Sequence, residues 1–364
     1  MKPPVVAPDP ATLACPTPAA PPDTAQLAHG GGGRAMHDLL TRRILPALDA
    51  PTPAGGSAAP AAPERHDAAV VDLGGARIAL TTDTFVVSPR SFPGGDLGSL
   101  AVYGTVNDLA CAGATPSHLS CALLLEEGFP LDELDRIVAS MQRAATRCNV
   151  RIVTGDTKVV ERGKGDGLFI NTSGVGLVPA GVVIGPRQLR PGDVVLVSGD
   201  VGRHGVAIMT VRAGLSFETA IDSDCAPVHE LVAALLGAGV VPSCLRDPTR
   251  GGLAAALNEL ALDGHVGFEV DASSIPVSPG VAAVCELLGL DPLHVACEGR
   301  LVITVRAADA ERALATLRAT PGGHAATRIG TVTGDGPGRV VLRTTLGTRR
   351  ILDLPSGQLL PRIC

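Results

Sequence analysis

The sequence predicts a layered α/β protein of two domains. Its 364 residues exceed the usual size of one domain and can bury substantial cores. Apolar, strand-like runs alternate with helical segments in both halves, which is typical of α/β layering. The turn signal Arg190-Pro191-Gly192-Asp193 precedes a new strand, so we place the domain boundary near residue 186. The alternation leaves parallel and antiparallel strand orders both open.

Composition excludes several classes of function. Apolar residues make up 45% of the chain but aromatic residues only 2%, so the cores must consist of Ala, Val and Leu. The net charge of −6 is mild and no Lys/Arg run occurs, which argues against nucleic acid and anionic membranes as partners. No apolar stretch is long enough to span a bilayer. Nine cysteines without a C-x-x-C pair favour reduced thiols, and hence a cytoplasmic protein.

The first half begins with a Pro/Ala-rich segment, residues 1–26, that we expect to be a disordered extension. A helix is predicted near 35–45, followed by a Pro/Gly/Ala-rich loop over 49–67. The N-terminal domain, 27–185, then continues with predicted strands at 77–82, 118–125, 151–154 and 168–178 and helices at 98–112 and 131–148. The last of these helices is the clearest, because apolar residues recur at helical spacing from Leu131 to Cys148.

The second domain is predicted to cover residues 186–345. Its strands are expected at 194–198, 301–305 and 329–332, and its helices at 228–236, 251–262, 281–288 and 308–318. A flexible tail, 346–364, follows and ends at Cys364.

Pro355, Gly357 and Pro361 interrupt regular structure near the end of this tail. Ten extended residues reach roughly 33–36 Å, and a flexible segment of that length averages about 17 Å end to end. Such an arm could present Cys364 to a partner and then return it to an active site on the same chain. The simpler alternative is an incidental cysteine on a frayed end.

Four acidic residues follow predicted strands or lie beside glycine turns: Asp83, Asp108, Asp156 and Asp247. Carboxylates in such places can hold Mg²⁺ that bridges polyphosphate oxygens. The alternative for each is a helix or turn cap. Lys158 follows Asp156 by two residues, so both side chains would point the same way in an extended segment. Lys158 could therefore neutralise a phosphate, or be an ordinary surface lysine.

Two glycine-containing segments are candidates for binding phosphate. Gly251 and Gly252 follow Asp247-Pro248-Thr249-Arg250 at a predicted helix start, where free N–H groups attract anions. A plain N-cap is the competing explanation. Gly31, Gly32 and Gly33 could also wrap phosphates, although the segment matches neither Walker A nor G-x-G-x-x-G. Glu298, one glycine before Arg300 and the next strand, is a candidate base if it is not a surface charge.

Taken together, these motifs resemble the HypE family of hydrogenase maturation proteins, within the superfamily of aminoimidazole ribonucleotide (AIR) synthetase and selenophosphate synthetase. The resemblance runs from about Gln26 to Cys364. The segments that carry it are 82–83 (TD), 92–95 (FPGG), 104–110 (GTVNDLA), 125–128 (LEEG), 153–160 (VTGDTKVV), 169–172 (FINT), 247–252 (DPTRGG), 285–290 (CELLGL) and 361–364 (PRIC).

This resemblance implies an AIR synthetase-like architecture, in which the N-terminal sheet domain dimerises and binds nucleotide near the dimer interface. It also implies a reaction. The carbamoyltransferase HypF loads a carbamoyl group on Cys364, ATP phosphorylates the amide oxygen, and loss of phosphate leaves a thiocyanate that passes to the HypC–HypD complex. Lys158 and Glu298 match positions near the thiocarboxamide, with Glu298 the expected base. The positions expected to hold ATP and Mg²⁺ are Asp83, Asn107, Asp108, Asp156, Thr157 and Asp247, with the glycine loops on the phosphates.

Two alternatives stay open. A non-catalytic carrier could ferry carbamoyl on Cys364 alone. Another ATP-using member of the superfamily is the second alternative, but selenophosphate synthetase requires a reactive Cys or selenocysteine near the first glycine loop. Residues 27–48 contain neither.

Overall fold

The computed structural model describes residues 24–48, 66–215, 221–354, 360 and 362–364. Most of the predicted N-terminal extension and of the 49–67 loop lies outside the described residues. Within the described part, no helix is both long and apolar enough to cross a membrane.

The first domain is a sheet covered on one face by two long helices. Its strands are β1 (Ala69–Leu73), β2 (Ala76–Phe85), β3 (Ser91–Phe92), β4 (Gly95–Asp96), β5 (Thr115–Glu126), β6 (Arg151–Val160) and β7 (Leu168–Leu177). Its helices are α1 (Arg34–Leu39), α2 (Leu45–Leu48), α3 (Leu97–Cys111) and α4 (Leu131–Arg147), with the π-helical turn Leu40–Ile44 joining α1 to α2. Five strands form one sheet in the order β1-β2-β7-β5-β6, in which only β5 and β6 are parallel.

Helix α3 is the central element of this domain because it is buried on nearly every side. Asp96 caps it by accepting a hydrogen bond from Ser99 N at 2.8 Å, while Ser99 Oγ accepts from Asp96 N at 3.0 Å. A Cβ on Gly98 would lie 2.4 Å from the carbonyl oxygen of Ile137, so only glycine allows α3 and α4 to approach this closely. Helix α3 also packs on the second domain, and it therefore carries side chains into the space between domains.

The second domain contains a larger mixed sheet. Its strands are β8 (Val194–Val197), β9 (Cys244–Arg246), β10 (Gly267–Asp271), β11 (Val302–Val305), β12 (Thr327–Thr333), β13 (Val340–Arg343) and β14 (Arg349–Ile351). Their order is β14-β13-β10-β12-β8-β11-β9. The helices are α5 (Arg203–Arg212), α6 (His229–Gly237), α7 (Gly252–Gly264), α8 (Pro279–Leu288) and α9 (Ala310–Ala319). Short 3₁₀ turns cover Leu27–Gly30, Pro186–Gln188, Ala272–Ser274, Pro292–His294 and Ala307–Asp309.

The layered α/β architecture and the long elements are confirmed, but three expectations require correction. The strand predicted to end at residue 154 continues to Val160, so Asp156, Thr157 and Lys158 lie within β6. Gly155 explains the misreading: a Cβ there would lie 1.9 Å from the carbonyl oxygen of Cys121, so the glycine serves close strand packing and does not mark a turn. Similarly, the strand predicted to stop before Asp83 runs on to Phe85.

The second correction concerns the tail. Strand β14 pairs with β13, and Leu352 is buried, with its N–H donating to the carbonyl oxygen of Val340 at 2.9 Å. The chain therefore belongs to the second domain well beyond residue 345. Third, helix α5 had no counterpart in the prediction, because glycines at 202 and 205 interrupt its pattern.

Candidate active site

The end of the chain lies against the segment that follows β2. Val86 N donates to the carbonyl oxygen of Cys364 at 3.1 Å, and Ser88 N donates to that of Arg362 at 3.2 Å. In return, Arg362 Nε donates to the carbonyl oxygen of Val86 at 3.1 Å. We call residues 362–364 the docked end. Its pairing with 86–88 places the side chain of Cys364 in a cavity between the two domains.

This cavity, the acidic cavity, encloses about 200 Å³. Strand β2, helix α3 and the segment preceding α7 supply much of its wall, so it depends on both domains. Its charged lining residues are Asp67, Asp83, Asp108, Arg246, Asp247, Arg250 and Glu298. The structure thus brings together Asp83, Asp108, Asp247, Glu298 and Cys364, five of the residues predicted from sequence.

The carboxyl groups of the acidic cavity are buried close to one another. Burial raises the pKa of Asp83, Asp108 and Asp247. Neighbouring carboxylates raise the pKa of Asp108 and Asp247 further, whereas the Arg250 guanidinium and a hydrogen bond with Asp108 oppose the shift of Asp83. Thr81 Oγ1 donates to Asp108 at 2.8 Å, which partly offsets this for Asp108. Crowded carboxylate oxygens of this kind suit a hard divalent cation, because the cation would remove the repulsion and the burial cost together. The residues therefore fit Mg²⁺.

Asp67 is a member of this cluster that sequence reasoning missed. Its carboxylate accepts from Arg246 Nε at 2.9 Å, and one of its oxygens lies within 4.8 Å of both a carboxylate oxygen of Asp247 and Sγ of Cys111. The sequence contained a signal for it: Asp67 directly precedes the apolar run Ala68-Ala69-Val70-Val71. The Pro/Gly/Ala-rich loop predicted over 49–67 includes Asp67 and so conceals the start of the first strand.

Cys364 and Glu298 line the same cavity, and burial raises the pKa of both. Burial raises the pKa of the Cys364 thiol to about 12; the Arg250 guanidinium opposes this shift and the charge on Glu298 adds to it. Glu298 is only 2% exposed, and its Oε1 has no hydrogen-bond partner in the described part of the chain. Burial and then Asp247 raise the pKa of Glu298 well above its ordinary value. Glu298 is thus a carboxyl group of raised proton affinity, as a general base requires.

Asn107 joins the two domains at this site. Its Nδ2 donates to the carbonyl oxygens of Ala226 at 3.1 Å and Glu298 at 3.2 Å, and its Oδ1 accepts from Val228 N at 2.9 Å. These three bonds go to the main chain of the second domain. Asn107 therefore holds α3 against that domain and fixes the backbone that carries Glu298.

The two predicted glycine segments lie together. Gly251 and Gly252 both have left-handed backbone, with φ of 78° and 62°, and they lead into α7. A Cβ on Gly32 would lie 2.4 Å from the carbonyl oxygen of Arg250, and one on Gly251 would lie 2.9 Å from that of Gly32. Gly31 and Gly251 line a small recess together with Leu360 and Ile363. This contact positions Arg250 at the acidic cavity; phosphate binding by Gly31, Gly32 and Gly33 stays a prediction.

Strand β6 carries three more of the predicted site residues, Asp156, Thr157 and Lys158, and it lies away from the acidic cavity. The Lys158 ammonium pairs with Asp156 at 2.9 Å, and both side chains are more than half exposed. Asp156 and Thr157 line a separate groove of about 710 Å³ between α4 and β6. Neither they nor Lys158 line the acidic cavity. The predicted site is therefore divided between two places in this chain.

Comparison with known proteins gives a consistent family. Residues 65–178 match the N-terminal domain, and residues 190–343 the C-terminal domain, of AIR synthase related proteins. Carbamoyl dehydratase HypE of Cupriavidus necator is 52% identical over 340 residues, covering 93% of this chain and 94% of that protein. A crystal structure of a HypE–HypF complex has a TM-score of 0.76 at 46% identity, covering 80% of this chain and 93% of its counterpart. A crystal structure of HypE in complex with ATP has a TM-score of 0.77 at 44% identity, covering 94% of this chain and 100% of its counterpart.

Proposed function

Because this chain belongs to the HypE family of carbamoyl dehydratases, we propose that it converts a carbamoyl group on its own Cys364 into a thiocyanate, using ATP. The product would supply the cyanide ligand in [NiFe]-hydrogenase maturation. The observation that carries the proposal is the position of Cys364: the docked end places this sulfur in the acidic cavity beside Arg250 and Glu298.

The chemistry explains why these groups are needed. The oxygen of S–CO–NH₂ is a poor leaving group, but transfer of the γ-phosphoryl group of ATP to it gives S–C(=NH)–O–phosphate and ADP. Cleavage of the C–O bond then releases phosphate and leaves S–C≡N. The nitrogen loses both of its protons over the two steps. Glu298 is placed to accept protons, since its raised pKa makes its carboxylate a stronger base than an exposed one.

The other charged residues of the acidic cavity would stabilise the negative charge of the phosphoryl group. Asp67, Asp83, Asp108 and Asp247 are the residues that would hold Mg²⁺, which neutralises charge on the transferred phosphoryl group when it is bound with ATP. Arg250 lies beside the sulfur and can offset negative charge on the phosphorylated intermediate. Ile363 in the docked end and Leu360 just before it are buried against the core, so these residues also keep water from that intermediate.

The nucleotide needs more room than the acidic cavity gives, since small-molecule pockets usually measure roughly 300–1,000 Å³. Strand β6 offers a way to extend it. It lies at the edge of its sheet, nearly all of its residues are exposed, and Ile152, Val153 and Val159 are apolar. We infer that β6 joins a second copy of the chain, and that Asp156 and Lys158 meet the nucleotide in this homodimer.

The proposed partners follow the family. The solved HypE–HypF complex supports a carbamoyltransferase that loads Cys364, and the cyano group would pass to a HypC–HypD complex. The cysteines in the described part of the chain are free thiols, which supports a reducing, cytoplasmic location.

Mass spectrometry tests the proposal directly. Incubation with HypF, carbamoyl phosphate and ATP should add about 43 Da at Cys364 and then remove about 18 Da, as expected for carbamoyl transfer to a thiolate followed by loss of water. An adduct that forms but never loses water would favour the carrier function. Cys364→Ala should give neither mass change while ATP binding survives.

A further inference from the structure

The docked end is held by its main chain and by the Arg362 side chain, which donates to the carbonyl oxygen of Val86 and pairs with the Asp166 carboxylate. Three successive carbonyl oxygens, those of Arg362, Ile363 and Cys364, each accept a hydrogen bond from the body of the protein. Within the described residues, no hydrogen bond of the docked end involves the sulfur of Cys364. The hydrogen bonds that hold the docked end therefore do not depend on what the sulfur carries.

His204 binds the middle of these carbonyls. It is fully buried on α5, and its Nε2 lies 2.7 Å from the carbonyl oxygen of Ile363. Because a carbonyl oxygen only accepts, Nε2 carries the proton, and Nδ1 can accept from Ser223 Oγ at 2.8 Å. The edge contact with Phe92, at 5.3 Å between ring centroids, holds the imidazole plane. His204 is thus a fixed donor aimed at the arm.

Arg212, at the other end of α5, connects the arm to the segment that receives it. Its Nε donates to the carbonyl oxygen of Ser88 at 2.5 Å, and its Nη2 donates to that of Arg362. Arg362 adopts left-handed backbone with φ of 51°, which is unfavourable for a residue with a Cβ. The contacts made by His204 and Arg212 offset this strain together with those made by Val86, Ser88 and Asp166.

We propose that His204 and Arg212 form a latch that holds the docked end in place, with Cys364 in the acidic cavity, even when Cys364 carries no group, so that the chain withholds its acceptor thiol until the latch opens. This rests on the proposed function, because it names what controls access to the loading step. The two residues are positioning residues: they touch the arm's backbone and not the reacting atoms. A weaker latch would expose Cys364 more often for loading and would hold the loaded arm less well for dehydration.

Alkylation of Cys364 tests the latch without partner or nucleotide. The full-length protein would be treated with iodoacetamide under native conditions, and modification of Cys364 followed by peptide mass spectrometry. Arg212→Met should raise the alkylation rate roughly tenfold, the population change for loss of about 1.4 kcal/mol of charge-assisted hydrogen bonding. His204→Leu should act in the same direction, whereas His204→Gln, whose amide can still donate to Ile363, should restore most of the protection.

Arg318→Met is the matched control. Arg318 also lies in the last turn of a helix and donates to a backbone carbonyl, that of Ala326 at 2.9 Å, but it does not contact the arm. Thermal melting by circular dichroism would verify that each variant is folded. An unchanged alkylation rate in folded Arg212→Met, or an equal rise in Arg318→Met, would overturn the proposal.

A second measurement separates the latch from the function. With HypF, carbamoyl phosphate and ATP, Arg212→Met should be loaded faster than wild type but lose water more slowly per loaded chain. Unchanged loading would contradict the latch. If the wild-type adduct never loses water while Arg212→Met is still alkylated and loaded faster, the dehydratase proposal fails and the latch stands.

Discussion

The Glu298 carboxyl and the Cys364 thiol face one cavity, and the charge of the first adds to burial in raising the pKa of the second. One residue comes from the second domain and the other from the end of the arm, which is docked against the first domain. The docked thiol therefore stays protonated, and a protonated thiol is a poor nucleophile. The same surroundings suit a sulfur that already carries a neutral carbamoyl group.

Removal of the base should separate loading from dehydration. Glu298→Gln keeps the shape of the side chain but cannot accept a proton, so we expect dehydration to slow by roughly a hundredfold or more. Loading should continue, and the carbamoyl adduct should accumulate in intact mass spectra. Glu311→Gln, an exposed position on α9, is the control. Dehydration at the wild-type rate in Glu298→Gln would exclude its role as the base.

The crowded carboxyls predict an unusual pH dependence of stability. The pKa values of Asp83, Asp108 and Asp247 are raised in the folded chain, so between the ordinary and raised values the folded state binds more protons than the unfolded state. Each such group therefore stabilises the fold at low pH and loses this contribution as pH rises, by up to about 1.4 kcal/mol per pH unit. Asp108→Asn should remove one such contribution. Denaturant unfolding at a series of pH values upward from the ordinary Asp pKa of 3.8 would detect it; identical slopes for the two proteins would contradict the argument.

Magnesium and ATP should stabilise the chain through the same carboxylates. Ligand at about 100 times its Kd contributes roughly 2.7 kcal/mol, enough to raise the melting temperature by a few degrees. Asp247→Asn should lose most of this shift, and EDTA should abolish it in the wild type. Asp335→Asn, in an exposed turn between β12 and β13, should keep the full shift. Differential scanning fluorimetry makes the comparison, and retention of the shift in Asp247→Asn would rule that residue out as a ligand.

Extending the chain beyond Cys364 should block dehydration. Added residues would continue from the Cys364 main chain, which pairs with Val86 N beside a cavity of only about 200 Å³, so we expect them to weaken docking. We expect a protein with a hexahistidine tag after Cys364 to accept carbamoyl but release almost no water. The same tag placed before Met1 is the control. Equal dehydration by both proteins would show that the arm does not dock as described.

The exposed edge strand predicts how the chain assembles. Val153 on β6 is 55% exposed, and Val153→Lys would place a charge in any contact between two copies through this edge. We expect this variant to be monomeric by sedimentation and to lose nucleotide binding. Leu287→Lys, at a position on α8 that is also exposed, serves as the control. A dimer that persists in Val153→Lys would move the interface elsewhere.

Local patterns in the sequence predicted much of this protein. Apolar spacing gave α4 nearly to the residue, because an amphipathic helix on a sheet has a strong period. The gathering of Asp83, Asp108 and Asp247 followed from their similar local contexts. The predicted strand ends too early, at residue 154, because glycine usually marks a turn. Gly155 instead allows the backbone of Cys121 on the neighbouring strand to approach closely. The latch could not be predicted from the sequence. His204 and Arg212 bind backbone carbonyl groups about 150 residues away in the chain, and because every residue has such a group, the sequence does not mark the ones that are bound.

The three hydrogen bonds of Asn107 have a consequence for inactivation. They tie the backbone of Glu298 to a helix of the other domain, so neither half of the chain alone assembles the reacting groups. Two hydrophobic clusters also combine side chains from both halves, so heat that separates the halves exposes their shared cores. Loss of turnover and loss of ellipticity should then occur together on heating.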